Sequence, residues 1–194
     1  MQTTDFVILA LIAVVIAAAT MIFVAMRRRR THALQDRFGE EYDRTLHEHG
    51  KRAPAEAALH EREKRVAELD IRPLTPQERS AFTEEWREVK AVFVDSPREA
   101  VLHADRMAAK MMAARGYPMG DFDRRYEDLT VDHGEVARHY RAGHDIADRQ
   151  AHGTATTEDL RQAMKHYEAL FDDLVSDVSD TVKHRPVTRA AEPA

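Results

Sequence analysis

Apolar residues follow two regimes along this chain. From Phe6 to Met26 they are continuous, and the run FVILALIAVVIAAATMIFVAM carries no charge and no strongly polar group beyond Thr20. As a helix it would be about 31 Å long at 1.5 Å per residue, which matches a hydrocarbon core of roughly 30 Å. Beyond it, apolar positions recur at helical spacing between charged residues, and no stretch alternates as a half-buried strand would. The pattern predicts an all-α chain, with one N-terminal transmembrane helix followed by an irregular multi-helix soluble domain.

Helix punctuation divides the second regime. The first helix is expected to continue past Met26 through Leu34 and Phe38 until Gly39, and Tyr42 and Leu46 make a short ridge before Gly50. Pro54 opens a charged helix to Leu69 with only Leu59, Val66 and Leu69 as apolar anchors, a narrow seam suited to lying over a neighbour or meeting a partner. Thr75-Pro76-Gln77-Glu78 and Ser96-Pro97-Arg98-Glu99 read as two capping boxes with Pro in the first helical position. The first precedes the face Phe82, Trp86, Val89 and Phe93. The second precedes a helix through Val101, Leu102, Met107, Ala108, Met111 and Met112, closed by Gly116. A short helix over Phe122–Leu129, one from Asp132 or His133 to about Ala151, and one from Thr156 or Thr157 through Leu160, Met164, Tyr167, Phe171, Leu174 and Val178 complete the set. The boundaries are therefore 1–5 for a short outside N-terminus, 6–26 for the span, 27–50 for a basic flank and juxtamembrane helix, 51–70 for the charged helix, 71–179 for a helical core domain and 180–194 for a disordered tail.

Charge orients this plan. The segment before the span is MQTTD, with an acid and no base, whereas Arg27, Arg28, Arg29 and Arg30 follow it directly. A cleaved secretory signal has a basic start and a small-residue cleavage site after its apolar core, and neither is present. Basic flanks stay cytoplasmic, so the expected topology is a single pass in a cell membrane, N-terminus outside and C-terminal domain cytoplasmic. The four arginines become a membrane-surface contact, with the lipid bilayer as the first partner. Omitting residues 1–30 removes those four arginines and Asp5, leaving 25 basic against 33 acidic side chains, a net charge of −8. That balance argues against nucleic acid as a partner.

Candidate chemistry is sparse. With no cysteine there are no disulfides, thiolate nucleophiles or Cys-based metal sites. The eleven histidines hold no HExxH, and His133, His139, His144, His152 and His166 contain no i, i+3 or i, i+4 pair, so no metal and no cofactor is expected. The densest polar-aromatic constellation is VDHGEVARHYRAGHDIADR, where His133, Tyr140 and His144 share a helical face. A functional reading makes His144 a proton-transfer group oriented by Asp148. A structural reading makes Tyr140 and His144 partly buried residues whose polar tips find partners. Met107, Met111, Met112 and Met119 read as core or as an adaptable groove, and Trp86 as core or as an interface anchor.

The stretches RFGEEYDRTL, LDIRPLTPQER, EEWREVKAVFVDSP, RGYPMGDFDRR, VDHGEVARHYRAGHDIA and TTEDLRQAMKHYEALFDDL resemble a group of uncharacterised bacterial membrane-anchored proteins. The likeness runs from about Phe38 to Leu174, and it implies an anchored helical domain without implying any substrate, cofactor or catalytic residue. Gly39-Glu40 stands where that group often has Gly-Pro, which softens the predicted break. With no triad, phosphate loop or metal ladder, the chain reads as a membrane-tethered cytoplasmic interaction or scaffold module with a protein partner. The alternative is a small-molecule sensor or an enzyme of unrecognised type built on His133, Tyr140 and His144.

Overall fold

The computed structural model describes residues 3–176, with the side chains of residues 11, 12 and 14–176. The described residues form eight helices and no strand: α1 (Thr3–Phe38), α2 (Glu40–His49), α3 (Arg52–Ala67), α4 (Pro76–Asp95), α5 (Pro97–Ala114), α6 (Phe122–Leu129), α7 (Gly134–Ala151) and α8 (Thr157–Ser176). The chain is all-α, as its periodicity predicts. The expected tail at 180–194, and Val178 with it, lie outside the described residues. The structure divides into two compact units, residues 1–60 and 61–194, so the boundary falls within α3.

In the first unit, α1 runs through the arginines and stops where Gly39 takes a φ of +52°, one residue before α2 begins. Gly50 ends α2 in the left-handed conformation with its N–H on the Leu46 carbonyl, the cap that a residue without Cβ makes at little cost. Leu34, Phe38, Tyr42, Ala55 and Leu59 are buried. Glu56 ties three helices together, accepting from the Thr31 hydroxyl of α1 at 2.7 Å and from the Tyr42 hydroxyl of α2 at 3.1 Å. Burial and the nearby Glu56 carboxylate both push the Tyr42 phenol upward. α3 begins at Arg52, two residues before the expected start, so Pro54 occupies the third helical position, where its missing N–H still costs no helical bond.

The expected span lies within α1, although the side chains of residues 6–10 and of Ala13 are outside the described ones. Among the described residues no helix is long and apolar enough to cross a membrane. Among the described residues, the exposed large apolar side chains lie between Leu11 and Met26 of α1, apart from Val92, Val94 and Met119.

The second unit is organised by α5, which packs against α4, α7 and α8, while α7 also packs against α8 and α6. Its core gathers Val89, Val101, Met107, Met111, Met112, Leu129, Tyr140, Leu160, Tyr167, Leu170 and Leu174, and full burial of each such side chain is worth roughly 1.5–3 kcal/mol. Met107, Met111 and Met112 are therefore core rather than groove, and Met119 alone of the four is exposed. Trp86 is core too, stacked on Phe171 with ring centroids 5.5 Å apart.

The two anticipated capping boxes part company. At Thr75 both bonds form: the hydroxyl accepts from the Glu78 N–H and the Glu78 carboxylate accepts from the Thr75 N–H. The guanidinium of Arg72 and that N–H hold the Glu78 carboxyl down at about 2. Ser96 makes no side-chain cap. It is the only residue between α4 and α5, and its backbone N–H still donates to Val92 as the C-cap of α4, which leaves it at φ −136° and ψ 67°. A reciprocal box not anticipated from the sequence forms at Thr156 and Asp159.

Ahead of α4, residues 70–75 run extended past the end of α5, where the Arg72 N–H donates to the Arg115 carbonyl at 2.9 Å. This close passage explains Gly116. Its φ is +102°, and a Cβ there would lie 2.3 Å from the Asp70 carbonyl oxygen. The last turns of α3 are held to α6 within the same unit, with Arg65 donating to Asp128 at 2.7 Å and to Glu127 at 2.9 Å. Burial raises the Asp128 carboxyl, and the Arg65 guanidinium pulls it back only in part.

Candidate functional site

Of the three residues singled out on α7, Tyr140 and His144 are brought together and His133 is not. His133 occupies the N-cap position of α7, and its Nδ1 lies 2.9 Å from Asp173 Oδ2 on α8. Tyr140 is fully buried, its hydroxyl accepting from Arg125 Nε at 3.2 Å. Burial raises this phenol, and Arg125 opposes the rise. His144 stands one turn further, its ring 6.4 Å from that of Tyr140 and stacked on Phe122 at a centroid distance of 3.7 Å and an angle of 12°.

The carboxylate that orients His144 is Asp105 of α5, not Asp148. His144 Nδ1 and Asp105 Oδ1 are 2.8 Å apart, and the same oxygen accepts from the Tyr167 hydroxyl at 2.8 Å. Asp148 is exposed, and its Oδ1 sits 3.7 Å from His152 Nδ1 instead. Burial and the adjacent Asp105 charge together push the Tyr167 phenol well above its ordinary value. The ring of Tyr167 is clamped from its other side by Gly143, where an added Cβ would come within 3.0–3.2 Å of it.

Asp105, Tyr167 and Phe122 are the members of this cluster that do not stand out in the sequence. Asp105 carries one usable signal, since it falls four residues after Val101 and three before Ala108, an acid set into the apolar stripe of its helix. Phe122 and Tyr126 also take the Arg141 guanidinium over their faces, at 3.9 Å from the Tyr126 centroid.

The assembly is a carboxylate–imidazole pair with the imidazole ring part exposed and backed by an aromatic face. Such a pair can accept or donate a proton at Nε2 while Asp105 fixes the tautomer through Nδ1. Both tyrosine hydroxyls of the cluster, on Tyr140 and Tyr167, are buried and engaged. A pair of histidines, distant in sequence, meets across α7 and α8: His139 Nδ1 and His166 Nδ1 are 3.0 Å apart. Among the described residues no group of three or more metal-binding side chains comes together.

At the end of the apolar stretch of α1, Arg27, Arg28, Arg29 and Arg30 are all exposed on consecutive positions. Arg27 and Arg28 face a cavity of the first unit together with Arg52 of α3, a residue not anticipated as part of any site. Comparison with known protein families, with curated proteins and with solved structures found no match for the chain.

Proposed function

We propose that the chain is a membrane-tethered helical interaction module. A span over residues 6–26 holds it in a bacterial cell membrane, with residues 1–5 outside and the helical remainder on the cytoplasmic side. One observation carries the reading: between Leu11 and Met26 large apolar side chains are exposed around the whole circumference of α1, and four exposed arginines follow at once. A helix apolar all round requires an apolar surrounding, and the arginine collar favours the cytoplasmic side. The partner surface best suited to the domain is the charged outer face of α3, where Glu61 and Lys64 are exposed with opposite sign.

The test is fractionation of the full-length chain followed by protease treatment of inverted vesicles. Retention in the pellet after alkaline carbonate, with digestion of the helical domain from the exposed cytoplasmic face, is the expected result. Release by carbonate would overturn the anchor, and protection from protease would overturn the orientation. Crosslinking in the native membrane should then capture a recurrent protein partner that is lost when Glu61 and Lys64 are exchanged in charge.

A second reading rests on the bond between Asp105 and His144, which would serve a sensor or an enzyme in which the part-exposed His144 meets a small molecule. It requires that His144→Ala abolish the protein's cellular role while leaving the fold intact. An unchanged phenotype would remove it.

A further inference from the structure

Where α1 leaves its apolar stretch, the first unit has an open cavity of about 920 Å³ lined by α1, by Leu46 of α2 and by Arg52 of α3. Its wall changes character along α1. Phe23 and Val24 form an apolar edge, and one turn on Arg27, Arg28 and His32 present cationic or titratable groups. No carboxylate lines the cavity. Glu56, the acid of this unit that holds α1 and α2, has one oxygen taken by both Thr31 and Tyr42.

Three guanidiniums around one space repel each other unless an anion lies between them, and a phosphate oxygen pair is the group their planar donor forks match best. Free phosphate would satisfy the arginines but has no group to set against Phe23 and Val24. A phospholipid satisfies both, with its phosphate on the arginines and the upper carbons of its acyl chains on the apolar edge. We propose that this cavity binds the headgroup of an anionic glycerophospholipid, with Arg27, Arg28 and Arg52 on the phosphate and Phe23 and Val24 against the chain. The inference rests on the membrane reading above, because only a bilayer presents that headgroup at the level of Arg27. It goes beyond a diffuse surface attraction, which any basic flank makes, since Arg52 reaches the site through the fold from another helix.

The experiment uses the full-length chain in mild detergent micelles, read by native mass spectrometry with phosphatidylglycerol, phosphatidylcholine of the same acyl chains, or inorganic phosphate added. Phosphatidylglycerol should be retained roughly tenfold better than phosphatidylcholine. Arg52→Gln should cut that retention by at least about fivefold, while Arg98→Gln, an exposed arginine of α5, leaves it unchanged. Equal retention of the two lipids, an Arg52→Gln protein as selective as the parent, or displacement of the lipid by inorganic phosphate would each overturn the proposal. Arg52 is exposed, so its loss leaves the fold intact, which circular dichroism of the same sample verifies. Alkaline extraction separates the two ideas. A chain that stays embedded without lipid selectivity retains its anchor and loses the site; one that is extracted yet still selects phosphatidylglycerol retains the site and loses the anchor.

Discussion

Two stretches of this chain use the same apolar residues to opposite ends. Between Leu11 and Met26 of α1 the valines, isoleucines and Phe23 are exposed, whereas in the second unit the described residues of these kinds are buried or partly buried apart from Val92 and Val94. What separates the two is the spacing of charge. In α4, α5, α7 and α8 a charged residue interrupts the apolar run every few positions, so each helix has one face to bury and one to leave in water. In the α1 stretch no charge interrupts, no face is polar, and the helix has nothing to offer water. One region buries its apolar residues against its own neighbours, and the other leaves them exposed.

The largest effect should come from the second unit, where packing leaves no slack. Gly116→Ala sets a Cβ 2.3 Å from the Asp70 carbonyl oxygen at a φ of +102°. Overlap and backbone strain together should cost about 4 kcal/mol, and urea denaturation of the full-length chain should read that loss. A cost under about 1 kcal/mol would mean that the passage of residues 70–75 along α5 is loose.

Two valines sharpen the comparison directly, because both are exposed, Val15 at 58% and Val94 at 80%. On the proposed span, Val15→Arg should cost about 2.5–3.5 kcal/mol of membrane insertion and weaken retention in the alkali-resistant pellet. Val94→Arg should change neither partition nor stability by more than about 0.5 kcal/mol. Equal behaviour of the two variants would break the distinction between the regions.

A smaller contrast lies between the two N-caps. Thr75→Ala removes both the bond from Glu78 N–H and the framework of the reciprocal box, and should cost about 1 kcal/mol. Ser96→Ala removes no cap bond and should cost a few tenths of that, roughly 0.3 kcal/mol. Thermal unfolding of the two variants side by side measures the difference.

These two sites also show where a sequence is readable. The helices were legible because periodicity and punctuation are local: α6 begins at Phe122 and ends at Leu129, as expected, and Gly39, Gly50 and Gly153 sit at helix ends with positive φ. Ser96 has the same cap pattern as Thr75, and it failed because the end of α4 claims the same residue, a fact about the neighbour rather than about the motif. The candidate site was half legible for a like reason. Tyr140 and His144 lie one turn apart on one helix and could be paired by counting, but counting along α7 also pointed to Asp148, while the carboxylate that faces His144 is Asp105 on α5. His139 and His166, and Arg52 with Arg27, are juxtapositions made only by the packing of helices.

The smallest effect should come from acid. His166 is partly buried, and both that burial and the adjacent His139 lower its affinity for a proton in the folded chain. Its folded value thus lies below its unfolded one, so the unfolded chain binds the proton more readily. The stabilisation is complete above the ordinary histidine value of about 6.5 and is lost as pH falls from there through the lowered folded value. Because the ring is partly solvated the loss should be slight and local, a faster amide exchange in α7 and α8 at about pH 5.5 than the intrinsic rates predict from about pH 7.5. His166→Gln cannot take up the proton and should flatten that change, and the α1 stretch from Leu11 to Met26, which has no titratable group, should be indifferent to it. An acid response that persists in His166→Gln would move the sensitive group elsewhere in the second unit.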